Sequence, residues 1–208
     1  MDKNKVAVSL FNKMAVIYQE KFMDVSLYSK ILDLFCNTVK KHNAEILELA
    51  CGPGNITRYL LNKRADFKIT GTDLAPNMID LAKLNNPEAE FKLMDCRSIG
   101  AIEKKYDAIM CGFCLPYLCK EDTETLIHDA YNILHPKGVL YLSTMEDDYE
   151  KSRIRNASSG DEVFIHYYKS DYLIEILEQN NFKILSLERL NYQANRETVI
   201  DIIIIAEK

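Results

Sequence analysis

Two closely spaced glycines and a later acid are the residues of this chain whose types and spacing could do chemistry together. The apolar run Glu45-Ile46-Leu47-Glu48-Leu49-Ala50 ends in Cys51-Gly52-Pro53-Gly54, and an amphipathic segment starts at Asn55. With no Cβ on Gly52 or Gly54, backbone N–H groups and a helix N-terminus can approach a ligand closely. A second run, Ile69-Thr70-Gly71-Thr72, closes on Asp73, where a carboxylate can accept hydrogen bonds from a ribose diol. The pattern describes a nucleoside-bearing cofactor held across the ends of two parallel strands. The dinucleotide fingerprint G-x-G-x-x-G needs a third glycine for close helix–strand packing. Thr57 stands in that place, which speaks against NAD, and Glu48, four residues before Gly52, has no part in that fingerprint.

Groups that could move a proton or an electron are few. Imidazole titrates near neutrality, so His166 in Val163-Phe164-Ile165-His166-Tyr167-Tyr168 is the candidate base, with Tyr168 as a positioning group. Period-two alternation puts both on one face of a strand and Tyr167 on the other. The polar stretch from Lys151 to Asp161 precedes them, and loops of that length usually serve as lids or are disordered. Arg153 and Arg155 within it suit an anionic substrate. A surface β-arm without a chemical role is the alternative for this region. Cys111-Gly112-Phe113-Cys114 is a C-x-x-C, a spacing found in redox sites, but no second C-x-x-C or H-x₃-H completes a zinc site. Its place at the end of a strand favours cofactor lining and core packing. No metal is implied.

The elements that must position these residues follow from periodicity. Leu10, Met14, Ile17 and then Ile31, Leu34 and Phe35 recur at helical intervals, giving two helices around a break at Met23-Asp24-Val25-Ser26. From Glu45 strands and helices alternate: 45–50, 55–62, 68–73, 76–85, 90–95, 106–111, 121–134 and 138–144. Such alternation predicts a parallel sheet with helices on both faces and right-handed crossovers. A helix over 170–180 precedes two strands, 182–190 and 198–206, whose short polar connection requires antiparallel pairing. Val199-Ile200-Asp201-Ile202-Ile203-Ile204-Ile205 is apolar on both faces, as an interior strand is.

The glycine turn with its acid resembles motif I of class I S-adenosylmethionine-dependent methyltransferases, (D/E)-x-G-x-G-x-G. Glu48, Gly52 and Gly54 match, and Ala50 replaces the first glycine. The resemblance continues in the family's order. Asp73 matches the acid that holds the ribose hydroxyls, and Leu74 and Met78 fall where apolar residues pack against adenine. Phe91-Lys92-Leu93-Met94-Asp95-Cys96 resembles the third strand, ending in the acid that reads the adenine amino group. Cys111 stands at the cofactor-facing end of the fourth strand. Leu134-His135-Pro136-Lys137-Gly138 resembles the L-x-P-G-G turn, with Lys137 for one glycine. Phe11, Ala15 and Tyr18, followed by Tyr28, are similar to the N-terminal lid of small-molecule methyltransferases, in which the first tyrosine reaches the methionine end of the cofactor. Asp73 and Asp95 also suit helix N-caps.

The resemblance implies an α/β fold. Its sheet is doubly wound, Rossmann-like and seven-stranded, mostly parallel with one antiparallel inserted strand, and an N-terminal helical lid is added. One domain would span 1–208, with the lid at 1–42, the cofactor-binding core at 45–144, a substrate-side insertion at 146–169 and a C-terminal helix and strand pair at 170–208. The implied activity is transfer of a methyl group from S-adenosylmethionine to a small molecule by in-line displacement. A non-catalytic scaffold of the same fold and a nicotinamide-dependent oxidoreductase are the alternatives.

Composition bounds the partners. The 208 residues carry a net charge of −5 and 48% hydrophobic residues. That charge disfavours a nucleic-acid surface. Cys114-Leu115-Pro116-Tyr117 also lacks the polar residue and paired prolines of base-methylating enzymes. No run reaches the roughly 18 apolar residues of a membrane span, and the start is amphipathic rather than a signal peptide. Six cysteines without an export signal read as reduced thiols in a cytoplasm.

Overall fold

The computed structural model describes residues 3–156, 161–194 and 197–208. Two helices open the chain, α1 (Lys3–Phe22) and α2 (Ser29–Thr38). Between them Asp24 accepts a hydrogen bond from the Ser26 N–H at 2.8 Å, so the expected break is a side-chain-supported turn. The alternating part follows as β1 (Glu45–Leu49), α3 (Asn55–Lys63), β2 (Lys68–Asp73), α4 (Pro76–Asn85), β3 (Glu90–Leu93), β4 (Tyr106–Gly112), α5 (Lys120–Ile133) and β5 (Leu134–Met145). A small hairpin, β6 (Arg153–Asn156) and β7 (Glu162–Ile165), precedes α6 (Ser170–Gln179), β8 (Lys183–Ala194) and β9 (Glu197–Glu207).

The main sheet has the order β3-β2-β1-β4-β5-β9-β8, and β9 alone runs against the rest. Helices can cover both faces because successive strand residues point to opposite sides. Leu47, Leu49, Ile109, Ile202 and Ile204 face a core that α5 and α6 complete with Leu126 and Leu173. Ile46, Met110, Ile203 and Ile205 face the opposite core, which Leu32 and Phe35 of α2 close. Ile202 to Ile205 are buried throughout, as the two-sided apolar pattern requires. Crossovers reverse direction between β1 and β4, leaving a crevice outside the C-terminal ends of these strands, where open α/β sheets bind ligands.

Three local differences from the sequence reading have physical causes. β5 starts at Leu134 rather than Gly138 because the chain end pairs with its first residues: Lys137 N–H donates to Lys208 O and Lys208 N–H to Gly138 O. The final hairpin pairs out to Ala194 and Glu197, beyond the expected limits of 190 and 198. There Gln193 bonds Thr198 across the ribbon at 2.8 Å, so side chains extend the pairing that apolarity does not. The strand expected through Tyr168 ends at Ile165, because His166 N–H turns to Pro116 O and Tyr168 then pairs in an isolated parallel bridge with Glu146. Residues 157–160 of the polar stretch lie outside the described residues.

Lys137 adopts φ 64°, the left-handed conformation of the glycine it replaces. A Cβ there costs about 1–2 kcal/mol, and its side chain is exposed. Lys137→Gly therefore stabilises the protein by about 0.5–1 kcal/mol after the added unfolded-state entropy of glycine. Urea denaturation checks this as a higher midpoint at unchanged slope.

Candidate active site

The crevice holds a cavity of about 110 Å³ bounded by the turns after β1, β2, β3 and β4 and roofed by α1. Its floor is the glycine turn. Ala50 (φ 50°) and Gly52 (φ 53°) both take left-handed backbone, so Ala50 keeps the conformation of the glycine it replaces. Gly54 (φ 77°) is the N-cap of α3. A Cβ on Gly54 would lie 2.3 Å from Asn86 Nδ2, which donates to the Gly54 carbonyl. Backbone, not side chain, must therefore occupy this place.

Asp73 ties the turn to the next strand. One carboxylate oxygen accepts from Gly52 N–H at 3.0 Å, the other from Ala75 N–H at 2.8 Å. Burial raises its pKa, against the lowering effect of these N–H donors. It lines the cavity with Leu74, Met78, Met94 and Cys96, so a carboxylate faces a mainly apolar space whose other polar groups include Asn4, Tyr18 and Tyr117. Pro76 at the first position of α4 starts the helix directly behind it.

Glu48 is placed differently. It is 1% exposed beneath the turn, where the Thr57 hydroxyl donates to it at 2.5 Å, and it does not reach the cavity. Burial pushes its pKa up to about 8, so Glu48 is mainly a neutral acid at pH 7. Thr57 at the fingerprint's third-glycine position thus has a partner that explains it.

The roof is aromatic. Phe11 meets Tyr18 edge-on at 5.7 Å and Tyr117 at 4.9 Å, and Phe11, Tyr18 and Tyr117 all line the cavity. Burial, with the nearby Asp73 charge, pushes the Tyr18 phenol up to about 12. Asn12 fastens α1 to α4, accepting from Asn77 N–H and Asn77 Nδ2 at 2.8 Å each. Tyr28 is set apart, donating to the buried Asp201 at 2.7 Å.

Of the expected cofactor residues, Tyr18, Ala50, Gly52, Asp73, Leu74, Met78 and Cys96 line this cavity. Glu48 and Gly54 support it from below. Asp95 is turned elsewhere: it accepts from Arg97 N–H at 2.9 Å, pairs with the Arg97 guanidinium at 2.7 Å and caps the 3-10 turn Cys96–Ala101. It lines a shallower depression beside Leu74 and Pro76. Cys111 corrects the expectation for β4, because pleating turns its side chain into the α5-side core while Gly112 and Phe113 meet the cavity.

The proposed catalytic pair is also corrected. Tyr168 is 0% exposed; its hydroxyl donates to Leu118 O at 2.6 Å and accepts from Thr123 at 3.0 Å, a satisfied core residue. His166 is buried between Tyr149 and Phe164, and neither residue lines the cavity. Burial and then Lys3 lower the pKa of His166. The extended alternation assumed for 163–168 stops before both residues, and both rings pack against Tyr149 away from the cavity.

Sequence reasoning missed Asn4, Phe113 and Tyr117 as lining residues. Phe113 left a possible signal as the residue following a strand end at the crevice. It sits at φ 53°, its N–H donating to Ser143 O and Oγ. Asn4 carried no signal, since its part depends on how α1 docks. Among the described residues, no three His, Cys, Asp or Glu side chains are grouped to hold a metal ion, and no helix is long and apolar enough to cross a membrane.

Residues 46–138 match the family described as methyltransferase domain. The chain is 29% identical over 160 residues to the putative methyltransferase 235L of Invertebrate iridescent virus 6, covering 70% of this chain and 59% of that protein. It is 33% identical over 108 residues to trans-aconitate 2-methyltransferase of Variovorax paradoxus, covering 52% and 40%. The chain thus spans about half the length of these curated relatives. Magnesium protoporphyrin IX methyltransferase from Synechocystis PCC 6803, solved with bound SAH, shares the fold at a TM-score of 0.75 and 14% identity over 100% of both chains. Its motifs in the family's order, its β9 inserted antiparallel between β5 and β8, and the methyltransferase domain matched over residues 46–138 make the chain similar to the class I S-adenosylmethionine-dependent methyltransferases.

Proposed function

We propose that the protein transfers a methyl group from S-adenosylmethionine to a small-molecule acceptor. The observation that carries this reading is the Asp73 carboxylate, held at both oxygens by the glycine-turn and α4 backbones and facing a mainly apolar space. The residues present fit such a cofactor. Asp73 can take a ribose diol, Leu74, Met78 and Met94 offer apolar walls to a flat base, and Ala50 and Gly52 leave room along the turn. When bound, the cofactor supplies an electrophilic methyl group on a positively charged sulfur. What remains for the protein is alignment and exclusion of water, which the Phe11–Tyr18–Tyr117 roof provides.

The acceptor class follows from what the cavity lacks. Its titratable lining consists of Asp73, Tyr18, Tyr117, Cys96 and Cys114. The tyrosines and thiols are all raised, leaving no base poised near neutrality. An acceptor that is already ionised, such as a carboxylate, needs no such base. The acid named for the relative from Variovorax paradoxus supports this choice.

Calorimetric titration with S-adenosylmethionine, S-adenosylhomocysteine and NAD, followed by transfer of labelled methyl to carboxylic acids and amines, tests the reading. Binding of both sulfur nucleosides and labelling of an acid is the expected result. NAD binding alone would favour the oxidoreductase, and binding without turnover on any acceptor would favour the scaffold. His166→Ala should change kcat by less than about threefold, against the 100-fold or more lost with a general base. A steady-state pH profile identical to wild type is the check.

A further inference from the structure

Two of the six cysteines have a juxtaposition that the C-x-x-C motif did not indicate. The Cys114 thiol lies 3.3 Å from the sulfur of Cys96, eighteen residues earlier, and is also hydrogen-bonded to Cys111. Cys96 opens the turn after β3, and Cys114 precedes the 3-10 turn Leu115–Tyr117 after β4. β3 and β4 are separated in the sheet by β2 and β1, so the two sulfurs meet across the ends of strands that are not neighbours. Both residues line the cavity, together with Met94 and Phe113.

We propose that Cys96 and Cys114 form a redox-sensitive pair that peroxide closes to a disulfide in the lining of the cofactor cavity. In the balanced step one thiol, as thiolate, attacks a peroxide oxygen, giving a sulfenic acid and water. The second thiol displaces the sulfenic oxygen as a second water, so two thiols are oxidised and one hydrogen peroxide is reduced. The sulfurs must approach from 3.3 Å to about 2.0 Å, a contraction that side-chain rotation and a small wall shift can supply. The bond to Cys114, and then burial, raises the Cys96 thiol well above its ordinary range, and Cys114 is raised by its bond to Cys111 and by burial. The reduced pair is therefore slow to react while the roof covers it. Access through the cavity couples oxidation to occupancy: a ligand lying against the two sulfurs shields them from peroxide, and contraction to a disulfide reshapes the lining that the ligand meets. The coupling rests on the proposed cofactor; the cross-link does not.

The test treats the reduced full chain with hydrogen peroxide and follows intact mass and non-reducing peptide maps. The expected product has lost two hydrogens and yields a peptide joining Cys96 to Cys114. Cys96→Ser and Cys114→Ser abolish that product, and Cys119→Ser, which changes the half-buried thiol outside this pair, retains it. The wild-type map decides the question even where a variant folds poorly. A Cys111–Cys114 link, oxidation confined to Cys119, or no link under peroxide that fully oxidises the denatured chain overturns the proposal. Saturating S-adenosylhomocysteine slows the reaction, and the oxidised protein binds it at least about tenfold more weakly. An unchanged oxidation rate with ligand demonstrably bound overturns the coupling. If calorimetry shows no ligand binding by the reduced protein, the cofactor reading fails while the peptide map still decides the cross-link.

Discussion

Asp73→Asn lowers affinity for S-adenosylhomocysteine by about 100-fold or more, the largest effect expected of any single change in the cavity. Hydrogen bonds to a charged group are worth about 1.5–3 kcal/mol each, and a ribose diol makes two. Their loss amounts to about 3–6 kcal/mol, or 100-fold upward. The variant also probes the turn. Asn has one acceptor oxygen, whereas Asp73 now accepts from both Gly52 N–H and Ala75 N–H. One of these donors would face an amide NH₂ instead, costing about 1–3 kcal/mol of stability. The two effects separate by measurement: calorimetry reads affinity at a temperature where circular dichroism shows the variant folded. Affinity within about threefold of wild type in a folded Asp73→Asn protein would remove Asp73 from the ligand site and leave it a turn brace.

Why the sequence revealed the floor of this site but not its roof can be stated residue by residue. Gly52, Gly54 and Asp73 are legible because the backbone itself is the binding element, and its requirements appear as residue types at fixed spacing. Even the departures at Ala50 and Lys137 keep the left-handed backbone that the pattern demands. The inserted β9 was legible because Ile202 to Ile205 cannot face water on either side. Asn4 was not legible, because α1 is roughly as polar as apolar along its length and its docking is fixed by distant partners such as Asn77. His166 and Tyr168 were misread for a related reason. Alternation over six residues does not say where pairing ends, and here the hairpin stops at Ile165 while Tyr168 bridges Glu146 instead. Likewise the Cys111–Cys114 spacing suggested a pair, but the tertiary fold brought Cys96 to Cys114.

Wild-type stability falls as pH rises from 6 to 8, and Glu48→Gln removes that slope. The ordinary value for glutamate is 4.5, and burial places Glu48 near 8 in the folded protein. Between these values the unfolded chain is ionised and the folded one is not, so the folded state binds the extra proton. Stability is then greatest below 4.5, declines by up to about 1.36 kcal/mol per pH unit, and levels off above 8. The full decline is on the order of 4–5 kcal/mol, a large part of a domain's total. Asp201 acts with the same sign at lower pH. Burial raises it from 3.8 to about 6 despite hydrogen bonds from Tyr28 and Tyr192, so its share declines as pH rises toward 6 and is largely gone above it. Glutamine preserves the acceptor for Thr57 but adds an N–H, and an unsatisfied N–H costs about 1–3 kcal/mol at every pH. The slope rather than the absolute stability therefore carries the test. Urea denaturation at pH 5, 6, 7 and 8 should show a falling midpoint above pH 6 in wild type and Asp201→Asn, and a flatter one in Glu48→Gln. A wild-type midpoint unchanged from 6 to 8 would mean that Glu48 is ionised beneath the turn. Its carboxylate would then lie close to Asp73 as a second negative charge, and the neutral-acid account of this motif residue would fall.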